Sequence, residues 1–108
     1  MSNPSFTIKQ HDTSPAIVRN LTDENGSPLN LTSATVMFYM ADKVAASASI
    51  LDASAGQVAY EWDAGDTDTA GSFLSEFTIF RADGSEETAP NYGYTVINIS
   101  KSLRVPNA

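Results

Sequence analysis

Apolar side chains recur at every second position in run after run of this chain. Only extended backbone satisfies a period of two, because successive side chains of a strand point to opposite faces. Phe6 and Ile8 alternate with Thr7 and Lys9, and Val36, Phe38 and Met40 alternate with Thr35, Met37 and Tyr39. Val58, Tyr60 and Trp62 share one phase, and residues 72–81 form the longest run of this kind. Turn formers separate the runs: Asp12-Thr13-Ser14-Pro15, Asp23 to Pro28 with an Asn25-Gly26 step, the loop from Asp63 to Gly71, Ala82-Asp83-Gly84-Ser85, and Pro90-Asn91. The spacing predicts strands near residues 6–9, 16–22, 34–41, 57–62, 72–81, 87–89 and 93–100. Residues 45–55 are rich in Ala and Ser and weakly patterned, so a short edge strand at 49–52 is expected there, with loop or a helical turn around it. About seven short antiparallel strands with turn signals every 8 to 12 residues, and no helical period, describe an all-β sandwich.

The chain has 108 residues, which suits one domain (1–108), with a core over about residues 5–100 and a polar tail at 101–108. Apolar residues make up 42% and charged residues 18%, enough to build a core and too apolar for disorder. Thirteen acidic and six basic side chains give a net charge of −7. Phosphate backbones and anionic membranes repel such a molecule, so neither nucleic acid nor membrane is an expected partner. There is no cysteine, which removes disulfides, thiolate zinc sites and thiol catalysis. The first residues lack the basic segment and apolar run of a secretory signal, and a protein made in the cytoplasm is expected.

Residues suited to chemistry are few. The single histidine, His11, lies in a turn beside Asp12 and near Ser14. Neighbours in sequence do not make a triad, which needs geometry and an oxyanion hole, so a solvated turn residue is the expectation. Asp63, Asp66 and Asp68 offer oxygen ligands for calcium. Laid on an EF-hand loop starting at Asp66, Gly71 falls correctly at the sixth place. Ala70 then occupies a ligand position, Phe77 stands where the bidentate glutamate belongs, and strands replace the flanking helices. Glu86 and Glu87 are adjacent and point to opposite faces of a strand. Lys9, Arg19, Lys43, Arg81, Lys101 and Arg104 are scattered. No catalytic residue, metal site or cofactor is expected.

One feature departs from a plain sandwich. Val36, Phe38, Phe73, Phe77 and Ile79 take the core phase, which leaves Met37, Tyr39, Leu74 and Phe80 on the phase that faces water. Outer faces of sandwiches are ordinarily polar. Two readings stand side by side. Isolated apolar surface residues are ordinary on folded proteins. The other reading is a contact patch for a neighbouring subunit, since contiguous exposed apolar groups mark interfaces, with these four residues as the candidate interface. Trp62 continues the inward phase and is expected in the core. Arg19 falls on an inward phase too, which requires either a bulge or a guanidinium that reaches an edge.

The run from Ile8 to Pro15, then Leu21-Thr22-Asp23 with Gly26 and Pro28, then Leu31 to Val36 with Phe38 and Met40, resembles the N-terminal domain of the phage baseplate upper protein family. Gly56-Gln57-Val58, Trp62, the segment from Gly65 to Gly71, Glu76-Phe77, Ala82-Asp83-Gly84 and Pro90 to Tyr94 resemble that family's later motifs in the same order. The resemblance implies an immunoglobulin-like β-sandwich in the virion of a tailed phage, used as a non-enzymatic assembly or attachment module of the tail, baseplate or connector. Its implied partners are other virion structural proteins and further copies of itself. Family members commonly carry receptor-binding modules after this domain, and this chain stops after it, so a stand-alone accessory protein is expected. The alternatives are a capsid-surface decoration protein and a host-surface carbohydrate-binding module that would hold a glycan with Tyr92 and Tyr94.

Overall fold

A computed structural model describes residues 4–90 and 93–103, and within them the fold is all-β. Its strands are β1 (Ser5–Lys9), β2 (Ile17–Asn20), β3 (Thr35–Met40), β4 (Val44–Asp52), β5 (Gln57–Tyr60), β6 (Gly71–Phe80), β7 (Glu86–Ala89) and β8 (Thr95–Ser100). They hydrogen-bond in the order β1-β8-β6-β3-β4-β5-β2, with β7 also on β6. The two halves of β6 share one edge between neighbours: Gly71–Ser75 pair with β8, and Phe77–Phe80 pair with β7.

The layers meet in β4. Val44 to Ala48 pair with β3 in the first layer, and Ser49 to Asp52 pair with β5 in the second, with a register shift between Ile50 and Asp52. The first layer thus holds β1, β8, β6, β7, β3 and the first half of β4, and the second holds β2, β5 and the rest of β4, an all-β, sandwich-like arrangement. Because β4 passes from one layer to the other, the sheet is also a nearly closed barrel whose seam lies between β1 and β2.

Two expectations need correction. Residues 44–52 form one nine-residue strand in place of a short edge strand at 49–52 within loop. Ala and Ser state no phase, so pairing with β3 and β5 decides this segment. The eight strands of the described residues are close to the seven or so expected, but they are not all antiparallel, because β1 pairs parallel to β8 and makes the sheet mixed. At Asn25-Gly26 only glycine takes a positive φ, of 85°. The Gly26 N–H bonds Asp23 O at 3.0 Å and the Asp23 N–H bonds Ser27 O at 2.9 Å, while the Asp23 carboxylate accepts from the Asn25 and Ser27 N–H groups. This is a turn ending in one left-handed residue, and Asp23 supplies the side-chain bonds.

The core follows the inward phases. Phe38 stacks on Tyr60 with ring centroids 4.7 Å apart, meets Trp62 edge-on at 5.7 Å and lies 5.1 Å from Phe77. Ile17, Val36, Met40, Val58, Ile79 and Ile97 surround this cluster, all buried. Trp62 is buried as its phase requires, just past the end of β5. Arg19 resolves in favour of the edge: β2 runs in continuous register with β5, and no bulge occurs. Its guanidinium donates to Ser5 O across the seam at 3.0 Å and to Val18 O at 2.9 Å, with its carbon 5.9 Å from the Phe6 ring centre. Burial holds the Arg19 pKa below the ordinary value.

Candidate contact face

Pairing register fixes what lies on the outer face of the first layer. Across β3 and β6, Met37 stands opposite Thr78, Tyr39 opposite Glu76, and Thr35 opposite Phe80. On the far side of β3, Met37 and Tyr39 face Ser47 and Ala45 of β4, whose small side chains cover them only in part. On the far side of β6, Leu74 faces Val96. Met37, Tyr39, Leu74 and Phe80 therefore do share one face, as the alternation requires.

They do not form one compact patch. Tyr39 and Leu74 line a groove of about 370 Å³ together with Tyr94, Glu76, Asp42 and Ala41. Leu74 is 45% exposed and Tyr94 42%, whereas Met37, Tyr39 and Phe80 are half-buried. Met37 adjoins Tyr39 along β3, and the Ser47 hydroxyl donates to its sulfur at 3.7 Å. Phe80 lies at the other end of β6, about 20 Å from Leu74 at the usual strand rise, beside Glu86. The groove is thus built by the end of β3, the β3–β4 turn, the first half of β6 and the approach to β8. The turn closes when Lys43 N–H donates to Met40 O at 3.0 Å, with Asp42 at a φ of 63°.

Asp42 and Glu76 give the groove an acidic rim over apolar walls. Sequence reasoning gave neither a role on this face, Glu76 entering only as part of a motif, because their relevance comes from the pairing that brings them beside Leu74. Tyr92 lies outside the described residues.

The acidic loop and His11 are absorbed by loop structure at the same end of the sandwich, where Lys43 of the β3–β4 turn reaches Asp68. Asp66 accepts from the Tyr60 hydroxyl at 2.5 Å and from the Asp63 N–H at 2.8 Å. Burial first, and then the bond to Asp66, push the Tyr60 pKa above its ordinary value. Asp68 pairs with Lys43 at 2.7 Å, and that bond, with a second from Thr69, holds its carboxyl below the usual carboxylate range. Among the described residues no three His, Cys, Asp or Glu side chains gather as a metal site would require. His11 docks by its main chain, donating to Thr67 O at 3.0 Å, while the Thr67 hydroxyl donates to Asp12 O at 2.8 Å. The His11 Nε2 atom is buried and has no hydrogen-bond partner, so it is not set against a serine hydroxyl. Glu86 is exposed, and Glu87 is half-buried and pairs with Arg81 at 2.9 Å.

No protein-family model matches the chain, and a search of curated proteins finds no significant match.

Proposed function

We propose that the chain is a non-enzymatic structural protein of a tailed-phage virion, an assembly or attachment module of the tail, baseplate or connector that binds a neighbouring protein through the outer face of β3 and β6. The observation that carries this reading is the groove of Tyr39, Leu74 and Tyr94, with Met37 alongside, on a face that a free sandwich would keep polar. The virion setting comes from the sequence resemblance to the baseplate upper protein family. The rim of Asp42 and Glu76 suits a partner that inserts a basic side chain between the tyrosine rings, because a cation gains from both carboxylates and ring faces.

Met37→Asp and Leu74→Asp test this. Each places a charge on the exposed face without touching the buried one, so the variants keep the strand-rich circular-dichroism spectrum. They are expected to be lost from purified particles, as read by quantitative mass spectrometry of virions. Normal incorporation of both variants would end the proposal.

A second reading rests on the same groove, in which an exposed tyrosine ring beside two carboxylates is the kind of site that holds a sugar. Binding of the pure domain on a glycan array, lost in Tyr94→Ala, favours that reading over protein contact.

A further inference from the structure

Exposed strand edges invite pairing with another chain, and folded proteins block them with charge, proline or distortion. Most edges of this sandwich are blocked. β1 and β2 face each other across the seam that Arg19 bridges. β7 carries Glu86 and Glu87, the latter tied to Arg81, and is followed by Pro90. Among the described residues, the first half of β4 carries no such block.

The hydrogen bonds fix which groups that edge presents. Ala41 donates its N–H to Leu74 O, so odd-numbered residues along β3 turn their main-chain groups toward β6 and even-numbered ones toward β4. Val36, Phe38 and Met40 therefore exchange bonds with Ala48, Ala46 and Val44. On β4 the intervening Ala45 and Ser47 aim their N–H and C=O groups the other way. No strand of the described residues pairs there, because β5 begins its ladder only at Ser49. Both residues are exposed. From Val44 to Leu51 the sequence holds no charge and no proline.

We propose that Val44–Ala48 is a self-pairing edge, where two copies of this chain join antiparallel about a two-fold axis through Ala46. Ala45 of each copy exchanges both main-chain bonds with Ser47 of the other, Val44 lies opposite Ala48, and Ala46 lies opposite itself. The second copy is the occupant this strand fits. Every cross-strand pair is small and uncharged, so the ladder sets no like charges together even though each copy carries −7. The ladder ends on both sides where Ser49 is already taken by β5. The contact is closed by its symmetry, giving a dimer and not a filament. This inference uses β4 and does not rest on the face of Met37 and Leu74.

Sedimentation equilibrium of the full chain tests it, with two substitutions that spare the β3 ladder. Ser47→Pro removes an outward N–H, and Ala45→Lys adds the charge that other edges carry. The expected result is a wild-type dimer and at least a tenfold loss of self-association in each variant, with Ala45→Lys covering the case in which the proline variant misfolds. Ala46→Cys supplies an independent readout. Residues opposite each other in a pair without hydrogen bonds have Cα atoms about 4.5 Å apart, close enough for a disulfide. In a chain without cysteine, oxidation should then give a covalent dimer, and Ser54→Cys, in the β4–β5 turn, should not. A chain that is monomeric at every concentration overturns the inference. So does a dimer that survives both edge substitutions, or one in which position 54 cross-links as well as position 46.

Discussion

The two faces of β3 are built from adjacent residues and follow different rules. Inward, Val36, Phe38 and Met40 are buried, and Phe38 touches three other aromatic rings. Outward, Met37 and Tyr39 are as apolar as their neighbours and yet only half-buried, over a groove rimmed by Asp42 and Glu76. Hydrophobicity along this strand therefore does not separate inside from outside. What separates them is whether the opposite layer covers the side chain, and the outward half of the strand has the composition of a surface that another molecule covers.

Substitutions on each side sharpen that contrast. Phe38→Ala empties the centre of the aromatic cluster and should cost about 3 to 5 kcal/mol in urea unfolding. A loss under about 1 kcal/mol would mean that the cluster packs more loosely than its ring distances imply. Arg19 stands between the two cases, since its stem is on the inward phase and its head reaches the seam. Arg19→Met keeps the stem and removes the bonds to Ser5 O and Val18 O, so a loss of about 1 to 2 kcal/mol is expected, with faster amide exchange at β1 and β2 than elsewhere. Leu74→Asp should change unfolding by no more than about 0.5 kcal/mol, as surface substitutions do, while removing the binding expected of the groove. A destabilisation like that of Phe38→Ala would erase the distinction between the faces.

The smallest effect concerns Asp68. Its carboxyl is held low mainly by the bond from Lys43, so the stabilising contribution is present above the unfolded-state pKa and is lost as pH falls through the lower folded value. In Lys43→Met the NMR titration midpoint of Asp68 should rise toward the ordinary carboxylate value. An unchanged midpoint would assign the shift to Thr69 instead.

Sequence periodicity reached most of this architecture. The inward phases of β3, β5 and β6 are legible because large apolar residues alternate with other side chains, and burial is what such residues gain most from. The outer row of Met37, Tyr39, Leu74 and Phe80 was legible for the same reason, since phase is a local property. Its division into a groove and a distant Phe80 was not, because register between strands is set by turns and partners. β4 stayed hidden because Ala and Ser carry no strong preference for either face, and its path between layers follows from β3 and β5. The parallel pairing of β1 with β8 joins residues from opposite ends of the sequence, which no local pattern encodes. Asp42 and Glu76 became relevant only once the β3–β4 turn set them beside Leu74.

The passage of β4 from one layer to the other has a mechanical consequence. In a sandwich whose layers are linked only by flexible loops, a force that slides one past the other is resisted mainly by side-chain contacts. Here a hydrogen-bonded strand is common to both, with Val44 to Ala48 zipped to β3 and Ser49 to Asp52 zipped to β5. Shear between the layers must therefore stretch continuous peptide backbone or unzip a ladder, so a load applied to one layer is handed on to the other along covalent bonds.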